Sequence, residues 1–194
     1  MSDFGVGPAS PNLGPNLGKP ESEVGIIGPA KGFALQIGVL VSMMAFIRVQ
    51  VFNCVKGMSV TDLDFLLDPN ANTIGATLLH LAAAESYCQL NTFDEMEWDS
   101  WPQAIKDKWD VAMSLGEPAR QAIKGNSLDY YLTVLNGVRE KTLSEFQKRD
   151  DQWLAAVDAK WGWNNHAKWF HVAEHESNHN GQFKFLRTRL RPSR

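Results

Sequence analysis

Four of the five histidines in this 194-residue chain lie between residues 166 and 179. Three of them, His171, His175 and His179, are spaced four residues apart. On a helix each such step turns a side chain by about 40° and raises it by about 6 Å, so the three share one face. Two imidazoles at that spacing can close on one metal ion, because neutral histidine nitrogen is a good ligand for zinc, nickel or iron. His171 and His179 stand about 12 Å apart along the axis, too far for all three to bind together. Spacing alone leaves the pairs 171/175 and 175/179 both open.

His175-Glu176-Ser177-Asn178-His179 also spells the HExxH string of zinc proteases. That pattern needs a further ligand downstream, and the residues after His179, NGQFKFLRTRLRPSR, contain no His, Glu, Asp or Cys. Gln182 and Phe185 occupy the places where the longer protease pattern has glycine and histidine. A third ligand must therefore come from upstream. His166 begins the same helix and is badly placed, whereas His80 sits mid-way along an apolar stretch, LLHLAAAE, that a bundle can bring alongside. A three-histidine site of that kind would keep positions open for water or substrate, as catalytic metal sites do.

The elements that must position these residues read as helices. Lys31 to Lys56 forms a strongly apolar segment, predicted as a buried bundle helix of about 25 residues, roughly 40 Å long. A membrane span needs roughly 20 apolar residues; here the run stops at Ile47, contains Gln36 and is followed by Arg48, Gln50 and Asn53. Gly57 ends the helix, Ser59 or Thr61 caps a short turn, and Pro69 stops it. Asn72 or Thr73 starts a second long helix to about Leu90, and a short one is predicted from Gln103 to Leu115. Ser127 caps a third long helix running to Asp150. Asp151 to Gly162 is a Trp-rich connection, and Asn164 or Asn165 opens the last helix, which runs to about Arg191. No run of alternating strands occurs, so the fold class is all-α, a four-helix bundle over residues 31–194. Residues 1–30, with PNLG twice in tandem, form an extended Gly/Pro-rich arm without the pattern of a secretory signal.

Composition excludes several function classes. Nineteen basic against 22 acidic side chains leave a net charge of -3, unlike a dedicated nucleic-acid binder. The basic tail of Lys184, Arg187, Arg189, Arg191 and Arg194 is accounted for by cations at a helix C-terminus. Two cysteines cannot build a disulfide scaffold, which places the chain in a reducing cytoplasm by default. Cys88 reads as a small buried residue. The tryptophans read as packing residues, with Trp161, Trp163 and Trp169 able to line a pocket mouth.

Three segments resemble the DinB/YfiT-like superfamily of metalloenzymes. TIGATLLHLAAAE resembles its second helix, with the histidine at His80; WFHVAEHESNHNGQFKFLRTRL resembles its C-terminal signature; VKGMSVTDLDFLLDPNANTIG resembles the linker by which members enter that second helix. The resemblance implies a four-helix bundle with a divalent metal on His80, His175 and His179, zinc first, with nickel and iron as alternatives. It also implies a metal-dependent transferase working with a low-molecular-weight thiol on an electrophilic substrate. A three-His metal would take the thiol, strip its proton and leave a thiolate to attack. The alternatives are a hydrolase using metal-bound water and a stress-response protein whose metal supports no turnover. Glu176 is the candidate base, and Glu85 and Gln182 are candidate partners around the ligands. Both glutamates fit solvated helix carboxylates better, and Gln182 fits a packing or surface role equally well. Relatives and the apolar first helix suggest a homodimer, with no nucleic-acid or membrane partner.

Overall fold

The computed structural model describes residues 24–190, which leaves most of the predicted arm, both PNLG copies, Arg191 and Arg194 outside the described residues. Among the described residues there are eight helices and no strand. Helix α1 spans Leu35–Val55. It starts later than predicted because Gly32 takes a left-handed φ of 90°, which sets a turn where the helix would have begun. Its first N–H groups have no local cap and are met by Asp151, whose carboxylate accepts from the backbone of Gln36 at 3.0 Å and of Ile37 at 3.2 Å. Gly57, at φ 77°, ends it. By length and composition α1 is apolar enough to cross a membrane. In the fold it packs chiefly on the last helix and carries Arg48 into the protein interior.

Ser59 and Asp62 form a reciprocal capping box around the single turn α2, Val60–Leu63. Helix α3, Ile74–Thr92, starts at Thr73, whose hydroxyl accepts from the Ala76 N–H at 3.0 Å. Every residue of α3 except Ala84 and Asn91 is buried or nearly so. A helix enclosed on all sides must have all its polar groups satisfied by neighbours, and α3 carries His80, Glu85 and Gln89. Close approach is part of this enclosure: a Cβ at Gly75 would lie 2.6 Å from the Tyr131 hydroxyl, so only glycine fits.

Helix α4 spans Gln103–Ser114 and α5 spans Gly116–Ala122. Leu115 between them takes φ 55°, breaking what would otherwise be one continuous helix. Helix α6 is Leu128–Phe146, capped by Ser127 as expected. It stops short of Asp150, because the Asp150 carboxylate instead accepts from the Trp153 N–H at 2.8 Å and opens a short helix, α7, Asp151–Ala155. Helix α8 is Asn165–Arg187 with Asn164 as its cap.

The four long helices α1, α3, α6 and α8 make the bundle: α8 packs on α1 and α3, and α6 on α3, with α4 closing another side of α3. Trp169 is wholly buried between Phe146 and Phe93, at ring-centroid distances of 4.8 and 5.1 Å, and its indole N–H donates to Thr92 Oγ1 at 3.1 Å. It is a core residue and not part of a pocket mouth. Near the end of α8, the Arg187 guanidinium donates to the Asn53 carbonyl at 3.2 Å and to that of Cys54, so this cation serves the C-terminus of α1.

Candidate metal centre

Helix α3 brings His80 against the face of α8 that carries His175 and His179. The Nε2 atoms of His80 and His175 are 3.0 Å apart, as are those of His179 and His175. One ligand nitrogen from each of the three lies within 4.8 Å of the others, a group able to hold a metal ion.

What turns these nitrogens inward can be traced to the chain. The break at Leu115 leaves Ala112 in the last turn of α4, where carbonyls lose their helical donors. The N–H of Gly116, which a continuous helix would have given to Ala112, donates instead to Asn72 Oδ1 at 3.0 Å. The freed Ala112 carbonyl takes the Nδ1–H of His80 at 3.1 Å. Gln182, one turn beyond His179, accepts that residue's Nδ1–H through Oε1 at 2.9 Å. With Nδ1 donating in both rings, Nε2 of His80 and of His179 each presents a lone pair to the common centre. His175 has at most one Nε2 proton to share between them. The cluster thus holds more acceptors than donors at hydrogen-bond distance, and a cation is the species that satisfies such a set.

The electrostatics agree. Burial holds the His175 imidazole down to about 4, with the nearby His179 and His80 adding to the effect. Burial also lowers His80, assisted by His179, and lowers His179. All three are neutral near pH 7, the form that binds metal. The second histidine pair is not assembled. His171 points to solvent with its Nδ1 2.9 Å from Glu174, and no metal-holding group among the described residues includes His166.

The two glutamates correct the solvated reading. Glu85 and Glu176 are 1% and 2% exposed, and they meet Arg48 and Arg139 in a closed cluster. Each long helix contributes one member: Arg48 from α1, Glu85 from α3, Arg139 from α6 and Glu176 from α8. Arg48 donates to Glu176 through Nε, and through Nη2 to both glutamates at 3.1 Å. Arg139 donates to Glu85 at 2.7 and 3.0 Å and to Glu176 at 3.0 Å, while the Thr142 hydroxyl donates to Glu85 at 2.7 Å. Burial alone would raise the Glu85 carboxyl, but Arg139 and Arg48 outweigh it and hold it below the ordinary range. Both oxygens of Glu176 face arginines, and neither glutamate has a hydrogen bond to a ligand imidazole. Sequence reading overlooked Arg139, and met Arg48 only as the residue that ends an apolar run. For Arg48, a charge in an otherwise apolar helix was the available signal; Arg139, beside Glu140 and Lys141, offered none.

Of Glu85, Glu176 and Gln182, it is Gln182 that hydrogen-bonds a ligand imidazole. Gln182→Leu keeps the shape but removes the acceptor, and loss of such a ligand partner typically weakens metal affinity about 10- to 100-fold. Competition with a chelator of known affinity would measure it, and an unchanged affinity would show that the bond is incidental.

Beside His175 lies a cavity of about 430 Å³ whose lining includes Trp98, Trp161 and Trp163. Trp161 and Trp163 were expected at a pocket mouth; Trp98, from the acidic connection after α3, was not. Cys88 also lines this cavity, and burial, then the Glu85 charge, raises its thiol. Burial likewise raises Cys54.

A helical bundle that converges three imidazoles from its second and last long helices defines the DinB/YfiT-like class of metalloenzymes. Within that class, the chain belongs to the mycothiol-S-transferase family, whose model matches residues 39–192. That family supports a thiol-related transferase. A comparison with curated proteins finds no match.

Proposed function

We propose that this chain is a divalent-metal-dependent S-transferase that joins a low-molecular-weight thiol, mycothiol by family, to an electrophile. The observation that carries the proposal is the convergence of three neutral imidazoles, two of them oriented by Nδ1–H bonds and the third, His175, on the wall of a tryptophan-lined cavity. His80, His175 and His179 would hold the ion, zinc in the first instance, with nickel and iron compatible with the same nitrogen set. When bound, the ion supplies Lewis acidity that favours a thiolate over a thiol near neutral pH.

The protein's own residues do the rest. Ala112 and Gln182 keep the Nδ1 protons of His80 and His179 in place, so that Nε2 stays free. The chain supplies no thiolate of its own, since both cysteines are buried and raised, so the sulfur has to arrive with a co-substrate. Glu176, committed to two arginines, positions α8 in place of moving a proton. Transfer breaks the thiol S–H bond and forms one carbon–sulfur bond. In a substitution the leaving group departs with its bonding electrons and the proton goes to solvent; in an addition the π bond opens and the proton goes to the product. The bundle domain is taken to begin near residue 31, after the arm, and the protein to act as a cytoplasmic homodimer.

The full chain loaded with zinc, nickel or iron in turn should consume mycothiol in the presence of a generic electrophile, and chelation should abolish this. Thiol consumption that is the same with and without metal would overturn the proposal.

A further inference from the structure

The cavity beside His175 has a chemical character of its own. Its lining includes Met113, Val172 and the rings of Trp98, Trp161 and Trp163, which are 38%, 54% and 49% exposed. Its one lysine, Lys168, is already matched: the ammonium donates to Asp158 Oδ2 at 2.7 Å and to Asn91 Oδ1 at 2.8 Å. His171 is engaged by Glu174. Among the lining side chains an anion would meet no unpaired cation, so away from an ion held at His175 it would lose hydration without compensation. A flat apolar molecule would instead cover indole faces, each offering a large area for stacking.

The rim is held in shape. The Asp158 N–H donates to the Trp163 carbonyl at 2.8 Å, and the Gly162 N–H donates to the Asp158 carbonyl at 2.8 Å. Asp158 Oδ1 accepts from the Lys160 and Trp161 N–H groups at 2.9 and 3.4 Å. Through Lys168 the loop is tied to α8, about two turns before His175 on the same face, and through the Lys160–Glu97 pair at 2.8 Å it is tied to the connection carrying Trp98. The tryptophans are thus set around the cavity before any ligand enters, which lowers the ordering cost of binding.

We propose that this cavity is the acceptor site and that it selects an uncharged aromatic electrophile over an anionic one. That it receives an electrophile rests on the S-transferase reading; its preference for a neutral aromatic ring rests on the lining alone. For 1-chloro-2,4-dinitrobenzene as test acceptor, a bond forms between the thiol sulfur and the chlorine-bearing ring carbon. Chloride leaves with the electrons of the carbon–chlorine bond, and the thiol proton passes to buffer.

Equilibrium dialysis of the full chain, freed of metal by chelation so that no carboxylate can ligate an ion at His175, against nitrobenzene or 4-nitrobenzoate tests the preference without thiol or turnover. Nitrobenzene should be retained at least about tenfold more tightly, a difference of about 1.4 kcal/mol. Ala84→Phe, which fills the cavity from α3, and Trp163→Ala, which opens its rim, should each weaken retention by about tenfold. Equal retention of the two ligands, or nitrobenzene retention unchanged in both folded variants, would overturn the proposal. In the transfer assay Trp163→Ala should raise the KM for the chlorodinitrobenzene and leave the KM for the thiol in place; equal rises in both would count against it. Selective nitrobenzene binding in a chain with no transferase activity would refute the S-transferase reading and uphold the cavity's selectivity.

Discussion

Replacing His175 with alanine should reduce bound metal from about one ion per chain to background, and abolish thiol transfer with it. His175 is the middle of the cluster, with its Nε2 3.0 Å from that of each partner, so its loss leaves only two ligands, His80 and His179, on separate helices. The side chain is only partly buried, at the cavity wall, and the bundle should remain folded. His80→Ala should have the same effect on metal, from a separate helix. His171→Ala is the control: that ring is exposed and bound to Glu174, and its removal should leave metal content intact. Elemental analysis after dialysis, with circular dichroism to confirm folding, measures all three. Full occupancy in both the His175 and His80 variants would refute the three-histidine site.

The second large effect concerns stability. Arg48→Met removes one of two cations from a cluster whose four side chains are all buried. Two carboxylates would then share Arg139 alone, and a buried charge left uncompensated in this way costs about 3–5 kcal/mol. For a domain of this size the melting temperature should fall by roughly 10 °C. Adding Glu176→Gln restores charge balance, so the double variant should lose less than the sum of the two single changes. Additive losses in thermal melts would mean that the four residues do not act as a unit. The pH dependence has a definite sign. Glu85 is held below its ordinary value, so its contribution is present above about pH 4.5. It is lost as acidification carries the solution through the lower value of the folded state. In the wild type, acid unfolding should begin in that region; Glu85→Gln should flatten the dependence there.

Local signals were read directly from the sequence. Thr73, Ser127 and Asn164 cap the helices assigned to them, because an N-cap bond spans only a few residues. The i, i+4 histidines share a face for the same geometric reason, and the family resemblance selected 175/179 over 171/175. Apart from His80 meeting the last helix, relations between helices were not legible. Glu85 and Glu176 looked like solvated carboxylates because their arginines lie on α1 and α6, far away in sequence. Nothing in a side-chain pattern indicates that a backbone carbonyl, that of Ala112, orients His80. Helix α5 was overlooked although Glu117 and Pro118 occupy its first turn, where both residue types are favoured. Its start depends on a left-handed Leu115, which sequence preference does not suggest.

The near-complete enclosure of α3 sets a hierarchy of motion within the site. Amides on a helix buried on every side exchange with solvent only when the domain opens globally, whereas an exposed loop opens at little cost. His80 therefore stands on the slowest-exchanging part of the bundle, whereas Trp161 and Trp163 stand on a loop closed at rest by a few bonds near the surface, which can break while the rest stays shut. A ligand could enter past the tryptophans and leave again without the metal ligands ever losing their register.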